Sequence, residues 1–295
     1  MKPLVSIIVP IFNHELYLEE CLNALTRLNY PNIEILLCDD GSTDDSYLVA
    51  KKWLQRNAGI NARLFTQENQ GVCKTLNRLI CESSGEYLTL CASDDVLLPD
   101  GLGDRVDLLE HDNLKLACVG DAELINEHSH KIADSAMKTL YNADYDLLRK
   151  DIVRELVVRW SIVGPTLLIR RSAYDVVGFY DESLLVEDRE FYLRLLSRDA
   201  VTFWPHVVAS YRIHQNNVSR KSTPARLSII NQVALSNTKL SNHFTGSCRL
   251  FLASHHADLF ILSLGESKRI YYLLQSFRMA RKIIFSIVLS LERII

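Results

Sequence analysis

Short β-branched runs alternate with helical repeats of apolar residues from residue 4 to residue 119, and this alternation constrains the fold more than any other feature. Strands are expected at 4–9, 33–38, 62–66, 86–91 and 116–119. Helices are expected between them, at 15–28, 44–56, 72–83 and from Pro99 to about residue 111. Alternation of this kind predicts right-handed βαβ units and a parallel sheet flanked by helices.

Ligands of open parallel sheets bind beyond the carboxyl ends of the strands, which here are the loops 10–14, 39–44 and 92–95. The second loop begins with Asp39 and Asp40, directly after a buried strand. Carboxylates at this position can accept hydrogen bonds from a base N–H or from ribose hydroxyls. Asp, Gly and Ser are also turn residues, so a turn that caps the next helix explains the same letters. Both interpretations stay open from the residues alone.

Asp94 and Asp95 follow the fourth strand in the same way. A carboxylate cannot bind a diphosphate directly, but a divalent metal shared between carboxylate and phosphate oxygens resolves the repulsion. A simple turn is again the alternative. Two acidic turns on neighbouring strand ends favour the metal-site interpretation, because their carboxylates would repel one another without a cation between them.

The second half of the chain has a weaker pattern. Residues 121–148 are polar and are expected to form loops and edge strands near an acceptor site. Helices are expected at 151–160 and 188–197, and strands at 166–169 and 201–211. The chain then becomes helical after residue 222, which gives a catalytic domain at 1–221 and a helical extension at 222–295.

Three further features have a structural and a functional interpretation. Glu187 and Asp188 begin a helix, where acidic side chains interact favourably with the helix dipole. Alternatively, Asp188 is a general base, and burial or a neighbouring charge should then raise its pKa. His214 ends the last strand and is either a structural histidine or a metal ligand. Gly164 precedes a proline and by itself indicates only a turn.

Composition limits the class of protein. The net charge of −3 gives no signature of nucleic-acid binding, and the seven cysteines include no C-x-x-C spacing, so we expect reduced thiols in a cytoplasmic protein. The tail at 267–295 is basic and amphipathic, and its longest apolar run, 283–291, is short of the ~20 residues that span a bilayer. This tail is either a helix packed on the catalytic domain or an interfacial helix on an anionic membrane.

The segments VSIIVPIFN at 5–13, ILLCDDGSTD at 35–44, SDD at 93–95, GFYDE at 178–182 and ED at 187–188 together resemble the family 2 glycosyltransferases. The resemblance covers residues 1–220 and implies the α/β GT-A fold, which has a Rossmann-like, mostly parallel central sheet flanked by helices. It also implies that Pro10 and Phe12 line the nucleotide pocket, that Asp39 recognises the base, and that Asp94 lies near the ribose.

The resemblance assigns the chemistry as well. Asp95 and His214 would hold Mn²⁺ or Mg²⁺ on the diphosphate, and Gly164 would lie in a loop beside the donor sugar and the acceptor. Asp188 would be the catalytic base, with Glu187 in contact with the acceptor. The family often has a third acid where this chain has Ser93, yet metal dependence is expected to survive because both aspartates remain.

The implied activity is inverting transfer of one hexosyl or N-acetylhexosaminyl group from a nucleotide-diphosphate sugar, expected to be a UDP-sugar. The acceptor would be a glycan or a lipid-linked intermediate of O-antigen or capsule synthesis, reached at the inner face of the plasma membrane. Arg159-Trp160 precedes Asp188 and lacks the rest of the processive Gln-x-x-Arg-Trp motif, so it is interpreted as a chance match. A catalytically inactive nucleotide-sugar-binding or scaffold protein and a nucleotidyltransferase are the alternatives. A dehydrogenase is disfavoured because no G-x-G-x-x-G follows the first strand.

Overall fold

The computed structural model describes residues 2–215, 217, 223–265 and 267–291. Its described strands form one nine-stranded sheet in the order β3-β2-β1-β4-β8-β6-β9-β5, with β7 paired to β6. The strands are β1 (Val5–Ile11), β2 (Ile33–Asp40), β3 (Ala62–Gln67), β4 (Tyr87–Leu90), β5 (Val96–Leu97), β6 (Ala117–Asn126), β7 (Lys131–Ala133), β8 (Leu167–Arg170) and β9 (Val201–Ile213).

The described helices cover the sheet and form the C-terminal end of the chain. They are α1 (Glu15–Leu25), α2 (Ser46–Arg56), α3 (Val72–Glu82), α4 (Gly103–His111), α5 (Ala136–Tyr141), α6 (Tyr145–Lys150), α7 (Ile152–Val158), α8 (Ala173–Val177), α9 (Asp188–Leu196), α10 (Thr223–Leu240), α11 (Gly246–Ala253), α12 (His256–Ser263) and α13 (Lys268–Leu291).

The predicted α/β architecture is confirmed, including the mostly parallel sheet. Strands β1 to β4 are mutually parallel where they pair, and β6 is parallel to β9. Within this path, β8 runs antiparallel to both β4 and β6, and β5 at the end of the path runs antiparallel to β9. Strands β1 and β2 are almost continuously buried, as expected for parallel strands with helices on both faces. The carboxyl ends of β1, β2 and β4 therefore lie along one edge.

Two sequence-based expectations were wrong. The helix expected from Pro99 begins only at Gly103, because the preceding turn is held by a hydrogen bond from the Asn29 amide to the Pro99 carbonyl. Residues 121–148 are not edge strands and loops alone, since β6 continues to Asn126 inside the sheet and α5 and α6 follow.

Asp121 explains why the pattern failed there. Its side chain is buried inside the sheet, accepts hydrogen bonds from the backbone amides of Ala122 and Met137, and accepts another from the Tyr145 hydroxyl. A buried carboxylate satisfied by three donors is stable in a core. Its polarity nevertheless interrupts the apolar run by which a strand is recognised in a sequence.

The C-terminal helices pack on the catalytic part of the chain. Leu240, Phe251 and Leu289 belong to the same buried apolar cluster as the residues around the sheet. A hydrogen bond of 2.8 Å from Arg189 Nε in α9 to Asn237 Oδ1 in α10 adds a polar link. The domain boundary expected near residue 221 lies outside the described residues and stays a prediction.

Helix α13 is fixed on one face by a buried ion pair. Both guanidinium Nη atoms of Arg281 donate to the two carboxylate oxygens of Asp258 in α12, each at 2.7 Å. Leu274 and Leu289 are buried on the same face of α13. Its opposite face exposes large apolar side chains, namely Tyr272, Met279, Ile283 and Ile287. Across the described residues, none of the helices combines the length and hydropathy that crossing a bilayer requires.

Candidate active site

Asp40 is a structural residue that organises the entry to α3. Its Oδ1 accepts from Gln67 Nε2 at 2.8 Å and from the Gln70 amide at 2.9 Å, and its Oδ2 accepts from the Gly71 amide at 3.0 Å. These bonds occupy both oxygens of a buried carboxylate. Asp40 therefore explains the turn, but it has little capacity left to bind a ligand.

Asp39, its neighbour, has the opposite surroundings. Its Oδ2 accepts from the Ser42 amide at 3.2 Å, whereas its Oδ1 is buried and has no hydrogen-bond partner among the described residues. The turn that follows requires Gly41, which has φ +70°, and a Cβ there would lie 2.7 Å from the Asn69 amide nitrogen. Because an unsatisfied buried acceptor costs about 1–3 kcal/mol, a ligand N–H or O–H is the natural partner for this oxygen.

The turn after β1, which begins at Phe12, lies beside Asp39. Ile11 is the register partner of Asp39, so Pro10 and Phe12 flank the same strand end, and Phe12 exposes 44% of its surface. Asn13 Oδ1 accepts from the Thr43 amide at 2.8 Å, which ties this turn to the one after β2. An exposed aromatic ring next to an unsatisfied buried acceptor can take a planar heterocycle by stacking and hydrogen bonding.

Three side chains from three loops converge at the next position along the edge. His214 Nε2 lies 2.9 Å from Asp94 Oδ2, and His14 Nδ1 lies 3.7 Å from Asp94 Oδ1. One ligand atom from each residue lies within 4.8 Å of the others, which suits a metal ion. Burial favours the neutral acid, but the hydrogen bond from His214 and the charge of His14 outweigh it and hold the pKa of Asp94 below its ordinary value. Burial also lowers the pKa of His14, which favours a neutral imidazole able to bind a cation.

Asp95 lies beside this group but outside it. It is fully buried, and its Oδ1 accepts from the Arg212 amide at 2.9 Å. Burial, and then the adjacent Asp94, raise the pKa of Asp95 well above its ordinary value. Two neighbouring buried carboxylates fit a divalent cation, because it replaces their repulsion with attraction. That Asp95 and His214 share this cation stays a prediction.

Arg212 holds the Asp94-Asp95 turn in place. Its Nε donates to the Asp94 carbonyl at 2.7 Å, and one Nη donates to Glu20 Oε2 in α1 at 2.7 Å. Its guanidinium carbon also lies 4.9 Å from the centre of the Tyr17 ring. The buried arginine thus connects β9, α1 and the acidic turn, and it fixes the direction in which Asp94 points.

Glu187 and Asp188 form a second carboxylate pair at the start of α9. Burial, and then the charge of Asp188, raise the pKa of Glu187 to about 7. Burial also raises the pKa of Asp188, although Arg189 and a hydrogen bond from Trp160 oppose it. The expected rise in the pKa of Asp188 is therefore confirmed. A carboxylate with a raised pKa is a better general base near neutral pH than an ordinary aspartate.

The two carboxylate pairs act on the same side chain. Burial raises the pKa of the Tyr211 hydroxyl, and the charges of Asp95, Asp94 and Asp188 raise it further. Charges from both carboxylate pairs therefore reach the Tyr211 hydroxyl. Gly164 is exposed in a single 3₁₀ turn, Gly164–Thr166. A Cβ at Gly164 would meet nothing within 4 Å, so the fold itself does not require glycine there.

Sequence reasoning missed two residues of this region. His14 was included only as the end of a loop, although a histidine at a strand's carboxyl end beside an acidic turn is a detectable signal. Trp160 was interpreted as a chance match, but its side chain lowers the pKa of Asp188 and packs edge-on against Tyr192, with 5.4 Å between the ring centres. Its φ of +55° is rare for a bulky residue and indicates a backbone held in place by its surroundings.

Comparison with solved structures identifies the architecture as the GT-A fold. A mannosyltransferase from Pyrobaculum calidifontis, in complex with GDP-Man and Mn²⁺, superposes with a TM-score of 0.66 at 16% identity, covering 97% of this chain and 87% of that one. Residues 1–349 of S. aureus TarS, in complex with UDP-GlcNAc, superpose with a TM-score of 0.64 at 19% identity, covering 91% and 77%. At these identities the likeness concerns the fold.

Sequence comparison gives the family. The model for glycosyl transferase family 2 matches residues 6–177, so the chain belongs to this family. An uncharacterized glycosyltransferase of Rickettsia typhi is 29% identical over 215 residues, which are 72% of this chain and 65% of that protein. Glycosyltransferase GlyG of Streptococcus pneumoniae is 39% identical over 98 residues, covering 33% of this chain and 32% of that protein. The chain thus spans about two thirds, or less, of these relatives.

Proposed function

We propose that the protein is an inverting, metal-dependent glycosyltransferase that moves one sugar from a nucleotide-diphosphate sugar to an acceptor hydroxyl. The observations that support this most are an unsatisfied buried acceptor after β2, a group fit for a cation around the turn after β4, and a carboxylate pair with raised pKa values at the start of α9. These are the three parts needed to hold a base, a diphosphate and an acceptor. The family and the nucleotide-sugar complexes among similar structures support the same function.

The donor is proposed to be a UDP-sugar. Asp39 Oδ1 would accept from the N3–H of uracil, because it lacks a donor among the described residues. The ring of Phe12 is exposed beside it and would stack on the base, with Pro10 closing the other side. Recognition through a base N–H favours uracil over cytosine, which has no N–H at that ring position when neutral.

The reaction is a single displacement at the anomeric carbon. Asp188 takes the proton from the acceptor hydroxyl as its oxygen forms a bond to that carbon, and the bond to the diphosphate oxygen breaks with inversion. A bound divalent cation would neutralise the charge that develops on the leaving diphosphate. Asp95 and His214 are proposed to hold that cation, together with Asp94, whose carboxylate lies 2.9 Å from His214. Glu187 is proposed to contact the acceptor and to keep the Asp188 carboxyl partly basic through its charge.

An inactive nucleotide-sugar-binding or scaffold protein is the competing function. It would retain Asp39 and the acidic turn, but it would have no use for a half-buried carboxylate pair with raised pKa values at the start of α9. Carboxylates with perturbed pKa values cluster at catalytic sites, so this pair favours an enzyme.

A thermal-shift panel of nucleotide sugars, each with and without Mn²⁺, tests the proposed function. We expect UDP-sugars to raise the melting temperature more than GDP- or CMP-sugars, and the increase to depend on the metal. Asp188→Asn should give the same shifts while losing transfer. A panel in which no nucleotide sugar stabilises the protein would overturn the proposal, and transfer by Asp188→Asn would overturn the assignment of the base.

We further propose that α13 brings the enzyme to an anionic membrane bearing its acceptor, a lipid-linked glycan intermediate of surface-polysaccharide synthesis. The helix contains five bases and no acid. Arg278 and Arg281 both pair with the buried Asp258, which leaves Lys268, Arg269 and Lys282 beside the exposed apolar face. An exposed apolar face with flanking bases is the composition of interfacial helices.

Flotation with anionic phosphatidylglycerol vesicles tests this contact without removing the helix. Ile283→Glu/Ile287→Glu places charge on the exposed face and leaves the buried ion pair intact, so it should abolish flotation. Leu114→Glu is the matched control, because Leu114 is an equally apolar side chain that is 84% exposed on the catalytic part. Equal flotation of both variants would exclude α13 as the membrane contact.

A further inference from the structure

The group formed by His14, Asp94 and His214 contains one side chain, the imidazole of His14, to which the family resemblance assigns no role. His14 comes from the turn after β1, Asp94 from the turn after β4, and His214 from the end of β9. The side chains of Asp94 and His214 are buried and that of His14 is half-buried. The fold must therefore bring three segments that are distant in the sequence close together for their ligand atoms to meet.

The spacing of the ligand atoms fits one small metal ion. Imidazole nitrogens and carboxylate oxygens bind first-row divalent ions at roughly 2.0–2.2 Å, so ligand atoms of one ion lie up to about 4 Å apart. The atoms here lie within 4.8 Å of one another, with 2.9 Å between His214 and Asp94. The widest spacing exceeds that of ligands around one ion by about 0.8 Å (4.8 Å against about 4 Å), so shifts of under 1 Å close the group around a metal.

The donor set decides which ion is preferred. Two imidazoles and one carboxylate suit Mn²⁺, Fe²⁺, Co²⁺ and Zn²⁺, whereas Mg²⁺ prefers oxygen ligands and retained water. One carboxylate also leaves the complex with a net positive charge, which a diphosphate can approach.

Neighbouring contacts hold both imidazoles in position. The rings of His14 and His214 meet edge to face with 5.7 Å between their centres, and the Tyr17 ring lies 4.8 Å from that of His214. The backbone amide of His214 donates to Asn217 Oδ1 at 2.6 Å, and His14 Nδ1 lies 2.8 Å from Ser93 Oγ. Such contacts around the ligands are typical of metal sites with defined geometry.

We propose that His14, Asp94 and His214 form one transition-metal site, and that His14 makes this site prefer Mn²⁺ or Co²⁺ over Mg²⁺. The inference deepens the proposed function and rests on it only for the metal's role in catalysis. It assigns Asp94 to the metal in place of the ribose, and it makes the turn after β1 a part of the metal site. Metal binding would then order the same turn that carries Phe12.

Binding of Co²⁺ to the full chain without nucleotide tests the site directly. The visible absorption of Co²⁺ reports nitrogen ligation, and competition with about a hundredfold excess of Mg²⁺ reports selectivity. We expect the unmodified protein to bind Co²⁺ with a nitrogen-ligated spectrum that this excess does not displace. His14→Gln should weaken Co²⁺ binding by at least about tenfold and narrow the preference over Mg²⁺, and Asp94→Asn should abolish binding.

His256→Gln, at an exposed histidine of α12, is the matched control and should bind Co²⁺ normally. His214→Gln provides a second ligand variant and should reproduce the loss if His14→Gln does not fold. Unchanged affinity and spectrum in folded His14→Gln, or preference of the unmodified protein for Mg²⁺, would overturn the inference. Normal Co²⁺ binding without binding of any nucleotide sugar would instead count against the proposed function and leave the metal site standing.

Discussion

The neighbouring aspartates at the end of β2 should have opposite phenotypes, although they are adjacent and equally buried. Asp40 satisfies two backbone amides and the side chain of Gln67, whereas Asp39 keeps one buried oxygen without a partner among the described residues. Asp40→Ala should therefore lower stability, and Asp39→Ala should lower donor affinity.

The magnitudes follow from these contacts. Asp40→Ala leaves two partly buried amides without their acceptor at about 1–3 kcal/mol each, so the free energy of unfolding should fall by about 2–6 kcal/mol. Asp39→Ala removes one hydrogen bond to Ser42, but it also removes the unsatisfied oxygen, so stability should change by about 1 kcal/mol or less. A charge-assisted hydrogen bond to the base is worth about 1.5–3 kcal/mol, which weakens donor binding roughly 10- to 150-fold when it is lost.

Urea unfolding and donor calorimetry on the same preparations measure both quantities. The expected pattern is a lowered urea midpoint with near-normal donor affinity for folded Asp40→Ala, and the reverse for Asp39→Ala. Equal loss of donor affinity in the two variants would refute the reasoning, because it would mean that hydrogen-bond satisfaction does not distinguish the residues.

The remaining predictions concern the catalytic carboxylates and the C-terminal helices. Asp188→Asn should abolish transfer in a radiolabelled-donor assay while the donor dissociation constant stays within about threefold of normal. The transfer rate should fall as the pH drops below neutrality, because burial raises the pKa of Glu187 to about 7 and also raises the pKa of Asp188, so acid protonates both carboxylates sooner than ordinary ones; a flat profile down to pH 5 would contradict this. Trp160→Phe keeps an aromatic ring but removes the indole N–H, which favours the charged form of Asp188, so the pH profile of the transfer rate should shift to higher pH. A lower kcat with an unchanged pH profile would indicate that Trp160 acts through packing alone. Arg281→Met removes both short hydrogen bonds of the buried Asp258 and leaves it only the 3.9 Å contact with Arg278. It should cost up to about 3–5 kcal/mol of unfolding free energy, most of it recovered in the double variant Arg281→Met/Asp258→Leu.

The sequence was informative wherever a local pattern determines structure. The strands and helices of residues 4–90 lie within a few residues of their expected positions, because parallel strands covered on both faces are continuously apolar and their helices repeat regularly. The same reasoning failed at Asp121, where a buried carboxylate satisfied by distant donors resembles a loop residue.

The site was predictable in part for the same reason. The acidic strand ends were found because carboxylates after buried strands are conspicuous. The different surroundings of Asp39 and Asp40 depend on amides some 30 residues away, which no local pattern contains. His14 and Trp160 were missed because their partners, Asp94 and Asp188, are brought to them only by the fold.

The central claim is that Asp94 and Asp95, in the buried turn after β4, bind the diphosphate of a nucleotide sugar through a divalent cation. Calorimetric titration of the donor with and without Mn²⁺, for the unmodified protein and for Asp95→Asn, tests it most directly. The isosteric variant keeps an acceptor for the Arg212 amide, and Asp104→Asn, at an exposed acid of α4, serves as the matched control. The account predicts that Mn²⁺ tightens donor binding at least about tenfold in the unmodified protein and the control, and has no effect in Asp95→Asn. The same metal-dependent gain in folded Asp95→Asn would contradict it.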